Sequence, residues 1–166
     1  MTSGDWDRRY DTPDLIWSGE PNRFLREEAE TLPPGRALDL ACGEGRNAVW
    51  LARRGWEVTA VDFSGVALAK AARLASAHDV SPRLVEADLS GYAPQPESAD
   101  LVVVLYLHLD PGLRARVLAR AAAALAPGGV LLLVAHDLLN LTEGHGGPRD
   151  PSVLTTPEAV VAELPG

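Results

Sequence analysis

Five short apolar runs punctuate the chain, at 37–40, 56–61, 83–87, 99–105 and 130–135. Runs of four to seven residues with β-branched members and turn residues on either side predict strands, and those apolar at successive positions predict strands covered on both faces. Between them lie Ala- and Leu-rich stretches with helix signals. Residues 48–52 close at Gly55, residues 65–75 follow Ser64 as a cap, and a third stretch opens at Asp110-Pro111 and stops at Ala126-Pro-Gly-Gly129. Residues 24–29 read as a helix ended by Pro33-Pro34-Gly35, and Thr156-Pro157-Glu158 opens a last helix over 159–164. Strands alternating with helices predict βαβ units. The fold class is therefore α/β: a doubly wound parallel sheet in three layers.

The first strand runs into Asp39-Leu-Ala-Cys-Gly-Glu-Gly-Arg-Asn47 and then a helix. Gly43 and Gly45 offer a ligand bare backbone, and the helix behind them offers unpaired N–H groups. Gly43-Glu-Gly-Arg-Asn-Ala48 fits the dinucleotide pattern G-x-G-x-x-G/A, so the glycines alone leave a nicotinamide enzyme open. Asp39 argues for another ligand. A carboxylate inside a strand needs a cationic or hydrogen-bonding partner; an ammonium group fits and a pyrophosphate is repelled. Asp62 ends the second strand, where such folds place an acid against ribose hydroxyls, and Asp88 follows the third. A helix cap for Asp62 and a turn for Asp88 are the structural alternatives.

Asp39-Leu-Ala41-Cys-Gly43-Glu-Gly45 resembles the first motif, D-x-G-x-G-x-G, of the class I S-adenosylmethionine-dependent methyltransferases, with Ala41 in place of the first glycine. The resemblance implies a Rossmann-like fold, S-adenosylmethionine as cofactor and S-adenosylhomocysteine as product. It implies that Asp88 bonds the adenine amino group and that the Leu89 backbone reads the ring. Ala41, Cys42, Gly43, Gly45, Asn47, Phe63 and Leu105 take the remaining cofactor positions, with Asp39 and Asp62. Tyr106 and His108 follow the fourth strand, where the family passes the reactive methyl group. The aromatic residues Trp6, Tyr10 and Trp17 lie in a segment without clean periodicity; they read as a substrate-covering lid or, equally, as anchors that pin the arm to the domain surface. This arm and the sequence 39–47 are similar to the tellurite-resistance and thiopurine methyltransferase group, whose acceptors are small molecules. An oxygen or nitrogen acceptor also needs a base, for which His136, Asp137 and His108 are the candidates.

The resemblance divides one methyltransferase domain, residues 1–166, into an arm and helix (1–32), a cofactor-binding core (36–135) and an acceptor-side loop with the last helix (136–166). The family's sheet ends in an antiparallel strand pair that has no counterpart after residue 135. The strand at 130–135 would then be an exposed edge, which predicts a truncated chain or a partner covering that edge.

Charge and composition narrow the rest. A net charge of −8 argues against nucleic acid, whose phosphates call for a basic surface. No apolar run has the length of a membrane span, and the first residues lack a signal-peptide pattern, which together predict a cytoplasmic protein without membrane contact. The single cysteine, Cys42, fits a small packed residue beside a cofactor better than a nucleophile. His136, Asp137, His145 and His108 show no metal-ligand spacing, so no metal is expected. Two other functions stay open: a catalytically silent S-adenosylmethionine-binding or assembly subunit, and an NAD-dependent oxidoreductase, which lacks here a second substrate region or a Tyr-x-x-x-Lys pair.

Overall fold

In the computed structural model, which describes residues 1–165, five parallel strands stand in the order β3-β2-β1-β4-β5. They are β1 (Arg36–Leu40), β2 (Glu57–Asp62), β3 (Arg83–Glu86), β4 (Ala99–Leu105) and β5 (Leu125–Val134). The helices are α1 (Ser3–Tyr10), α2 (Arg23–Ala29), α3 (Arg46–Arg53), α4 (Gly65–Ala77), α5 (Pro111–Ala124) and α6 (Pro157–Glu163). The order reverses direction at β1, so β1 and β4 flank the crevice in which doubly wound sheets bind ligands. This is the Rossmann-like fold class expected of the alternating pattern.

The continuous apolar runs are explained by burial on two faces. Ala37, Leu101, Val103 and Leu105 pack with Leu25, Ala48, Leu51 and Leu68 of α2, α3 and α4. Their strand neighbours Leu38, Leu40, Val102 and Val104 pack with Val117, Ala121 and Ala124 of α5. Period-two alternation therefore assigns Asp39, in phase with Ala37, to the α3 side. Ser64 caps α4 through the N–H of Ala67, and Gly55 takes the left-handed conformation just after α3.

Three expectations change. The arm is helical over α1 despite its irregular pattern, because Thr2 and Asp5 form a capping box that satisfies its first turn. The fifth strand begins at Leu125 rather than 130: Leu125 pairs with Ala99, the register breaks, and pairing resumes at Val130 opposite Leu101. Pro127 excludes helix for the residue before it, so the Pro-Gly-Gly segment forms an irregularity inside the strand instead of a turn ahead of it. β3 stops one residue short of the expected 87. Among the described residues the sheet holds only these five strands, with β5 at an edge. No described helix is long and apolar enough to cross a membrane.

Candidate cofactor site

The bend between β1 and α3 is built from left-handed residues: Ala41 at φ 62°, Gly43 at 54° and Gly45 at 80°. Gly45 is required twice over, by its φ and because a Cβ there would lie 2.6 Å from the Ala71 Cβ of α4. Ala41 adopts a similar angle without the glycine found in the resembling motif, which stores about 1 kcal/mol of backbone strain. The bend thus presses α3 against α4 and turns its backbone toward the tips of β1 and β2.

Asp39 is 1% exposed, and its Oδ2 has no hydrogen-bond partner among the described residues. Burial pushes its carboxyl up to about 7, and the nearby Asp62 adds to the rise, against the opposing pull of Arg46 and the Ala48 N–H. Asp62 is also buried. Its Oδ2 accepts from Gly43 N at 2.8 Å and its Oδ1 from Ser64 N at 2.9 Å, so it ties the bend to the start of α4. Burial raises the Asp62 carboxyl too, while these backbone N–H groups hold it down. The Phe63 N–H also acts on this carboxylate, leaving part of its acceptor capacity for a ligand hydroxyl.

Asp88 differs from the other two acids. It is exposed, and its Oδ1 accepts from Ser90 N at 2.7 Å in a turn. The carboxylates stand at neighbouring strand tips, yet only Asp39 and Asp62 are buried. Leu89 is half-buried, and Arg120 of α5 fixes its loop by donating to the carbonyls of Leu89, Ser90 and Tyr92. Phe63 is half-buried at the end of β2, and Leu105 is buried in the α3-side core. Asn47, expected beside a cofactor, has its Oδ1 on the N–H of Asn22 at 2.8 Å, which joins α3 to the start of α2. Cys42 is buried, and burial pushes its thiol well above its ordinary range, which disfavours the thiolate.

The arm covers this bend. Tyr10 is buried, with its hydroxyl 2.9 Å from where a Gly43 Cβ would stand, and burial pushes that hydroxyl up to about 12. Trp6 stacks on Tyr10 at 5.5 Å between ring centres, and the Arg9 guanidinium lies 4.9 Å from the Trp6 ring and 5.6 Å from Trp17. Asp7 accepts the Ser64 hydroxyl at 2.5 Å. Two residues in this region have roles that their sequence context left unassigned, Glu44 and Lys70, which form a buried ion pair at 3.0 Å. The available signal was a lysine among Ala67, Leu68 and Ala71 on the inner face of α4.

On the far side of β4, Tyr106 holds a left-handed φ of 55° and is 37% exposed. His108 Nε2 and His136 Nδ1 lie 2.9 Å apart, so one ring shares a proton with the other. Burial, and then His136, lowers the His108 imidazole below its ordinary range. Tyr106 is tilted against His136 with ring centres at 5.0 Å. Asp137 does not join this pair: its carboxylate accepts from Leu139 N at 2.8 Å and caps a short 3-10 turn. His145 lies on an exposed loop. Among the described residues no three His, Cys, Asp or Glu side chains are placed to hold a metal ion. An apolar groove of about 860 Å³ runs from Tyr106 and His136 along the free edge of β5 to Val160 and Val161 of α6.

A sheet reversing at β1, a glycine bend behind its first strand and buried acids at two adjoining tips define a class I, Rossmann-like nucleoside-binding domain. Residues 37–129 match the methyltransferase domain family, and the chain belongs to that family. It is similar to ribosomal RNA small subunit methyltransferase C of Alcanivorax borkumensis, 36% identical over 108 residues, 62% of this chain and 33% of that protein. It is also similar to probable thiol methyltransferase 2 of Arabidopsis thaliana, 28% identical over 156 residues, 89% of this chain and 66% of that one. Among solved structures, an S-adenosylmethionine-dependent methyltransferase from Geobacter sulfurreducens in complex with S-adenosyl-L-homocysteine superposes with a TM-score of 0.61. The two are 26% identical, over 75% of this chain and 52% of that one. The chain spans roughly two fifths or less of the length of the first curated relatives it matches.

Proposed function

We propose that this chain binds S-adenosylmethionine and transfers its methyl group to a small-molecule acceptor, with residues 1–166 acting as one methyltransferase domain. The observation that carries the reading is the unpartnered, buried carboxylate oxygen of Asp39 beside the glycine bend. A buried anion of this kind calls for a cation, and the amino group of the cofactor's methionine moiety supplies one. Asp62 would take ribose hydroxyls on its free lone pairs, Asp88 the adenine amino group, and the Leu89 backbone the ring. The backbone at Ala41, Cys42, Gly43 and Gly45 would face the ligand, with Asn47, Phe63 and Leu105 at the margins of the crevice and Trp6, Tyr10, Trp17 and Tyr106 around it. When bound, the cofactor supplies an electrophilic methyl group on a sulfonium. The protein's part is to hold the acceptor in line with it and to exclude water.

Burial favours the neutral form of His108, and its hydrogen bond to His136 places the two rings to take an acceptor's proton. Asp137, occupied as a cap, is the weaker of the three base candidates. A small acceptor is favoured over RNA by the net charge of −8 and by the groove, whose ionisable lining includes Glu28, Asp137 and Glu143 but neither Lys nor Arg. The thiol methyltransferase relative supports the same choice. The likeness to the tellurite-resistance and thiopurine group rests on the aromatic arm and residues 39–47.

Titration calorimetry with S-adenosylmethionine, S-adenosylhomocysteine and NAD tests the cofactor. Binding of the two sulfur nucleosides and not NAD is expected; NAD binding alone would overturn the reading. Given an acceptor, His136→Ala should lower turnover with cofactor affinity unchanged, and undiminished turnover removes His136. Cofactor binding without turnover across acceptor classes would favour a silent binding subunit.

A further inference from the structure

We infer that Glu44 and Lys70 are positioning residues that latch the strap 12–17 onto the glycine bend, so that the arm closes over the cofactor crevice as one unit. The inference rests on the function just proposed for what the arm covers, but the latch itself is read from contacts within the protein. Glu44 lies between the two glycines of the bend, and its side chain is buried between the strap and α4. Its Oε1 accepts from Ile16 N at 3.0 Å and its Oε2 from Trp17 N at 3.1 Å. The Lys70 ammonium donates to Glu44 Oε1 at 3.0 Å, Thr12 Oγ1 at 3.0 Å and the Asp14 carbonyl at 2.6 Å. Both side chains are almost fully buried, at 3% and 2% exposed for Lys70 and Glu44. All three ammonium protons and both carboxylate oxygens are therefore satisfied, by partners drawn from three segments remote in sequence.

The arrangement makes docking of the strap an all-or-none event. Lifting residues 12–17 removes two of the three acceptors from Lys70 and both backbone donors from Glu44. A buried ion pair stripped of its supporting hydrogen bonds no longer offsets its desolvation, so both charges must rehydrate and the strap leaves entirely. What the strap carries gives the latch its function. Tyr10 sits on Gly43 at one end, and Trp17, joined to Trp6 through Arg9, lies at the other. A ligand reaching the bend passes this arm, and once inside is held by it. The bend and the lid are thereby coupled through a residue of the motif itself.

The test uses the full chain with Lys70→Met, Glu44→Gln and the two together. Limited trypsin digestion reads the arm at Arg8 and Arg9, with cuts at Arg53, Arg54 and Arg73 as the control for the core. Stopped-flow tryptophan fluorescence reads S-adenosylhomocysteine dissociation. Expected in Lys70→Met are arm cleavage and ligand dissociation each at least tenfold faster, with core cleavage unchanged. The double variant, in which no charge stays buried, should be no worse than Lys70→Met alone. Unchanged arm cleavage in both single variants overturns the latch. Arm and core cleavage rising together in both single variants overturns it too, since the pair would then hold the fold rather than the arm. If the unaltered protein binds no S-adenosylhomocysteine, the proposed function fails while the digestion still decides the latch.

Discussion

Replacing Asp39 by Asn separates the cost of an unpaired buried acid from every other feature of the bend. The side chains have the same shape, and the oxygen facing the Ala48 N–H is retained. Asp39 has a carboxyl near 7 in the folded protein, against an ordinary value of 3.8. A folded pKa above the unfolded one means that the native state binds the proton more tightly. Between about pH 4 and pH 7 the folded protein holds a proton that the unfolded chain has lost, so stability falls as pH rises through that window and is level above it. A difference of about three units, at 1.36 kcal/mol each, puts the penalty at pH 8 on the order of 4 kcal/mol. Urea denaturation of both proteins from pH 4 to 8 reads this directly. The Asn variant should gain on the parent steadily as pH rises toward 7, and parallel curves would refute a buried acid with a raised pKa. Ligand binding supplies the second arm of the assay. At pH 6 the carboxyl is mostly protonated, and an ammonium placed beside it would expel that proton. S-adenosylhomocysteine binding to the parent should thus release close to one proton, measured from binding heats in buffers of different ionisation enthalpy. The Asn variant should release fewer protons and bind at least tenfold more weakly. Equal proton release and affinity would remove Asp39 from the amino-group site.

The other predictions concern single contacts. Gly45→Ala should destabilise by about 2–3 kcal/mol, from overpacking against Ala71 together with its left-handed φ; a change within 0.5 kcal/mol by urea denaturation would show that α3 and α4 move apart without cost. Arg114 makes a two-bond ion pair with Glu163 at 2.9 and 2.6 Å, pinning α6 to α5. Glu163→Ala should cost about 2 kcal/mol and speed hydrogen exchange in α6 first, because it strands a buried guanidinium; unaltered exchange there would show that the pair does not hold α6. If His108, held below its ordinary imidazole range by burial, is the base together with His136, turnover with an oxygen or nitrogen acceptor should be flat through the ordinary imidazole range and fall only at more acid pH. A thiol acceptor should instead follow its own ionisation, and identical profiles for both acceptors would exclude the pair.

Much of this architecture was legible because its signals are local. Ser64, Gly55 and the Asp110-Pro111 pair each mark a helix end by chemistry contained within a few residues, and the apolar strands announce burial on both faces. The reading failed where the deciding contact was remote or competed with a stronger neighbour. α1 has no clean apolar stripe because its buried face is carried chiefly by Tyr10, and its stability comes from the Thr2–Asp5 box and from packing on α4. Pro-Gly-Gly reads as a turn, but Leu125 pairs with Ala99 before it, so the strand starts early. At the site, topology alone sets the three acids at successive strand ends and the strand pattern marks Asp39 as buried, whereas the exposure of Asp88 carries no local signal. Whether Asp88 is covered depends on the loop held by Arg120, about 30 residues away in sequence. The side-chain oxygen of Asn47 accepts from Asn22, a partner that no local pattern names.

The two buried acids flanking Cys42 show why sequence and site fit together as they do. Glu44 and Asp39 are both inside the protein, and a buried carboxylate without a cation is expensive. For Glu44 the chain provides that cation itself, by setting Lys70 on the inner face of α4. For Asp39 it provides none at close range: the pull of Arg46 is outweighed by burial and by the neighbouring Asp62. A domain selected for stability alone would have Asn or a small apolar residue at position 39. Retaining an unpaired acid there is reasonable if its partner arrives with the ligand, so that the electrostatic cost carried by the free protein returns as affinity and selectivity for a cationic nucleoside. A neutral or phosphate-bearing ligand gains nothing from that relief, so on the function proposed here Asp39 would favour S-adenosylmethionine over a dinucleotide at a bend that both would fit.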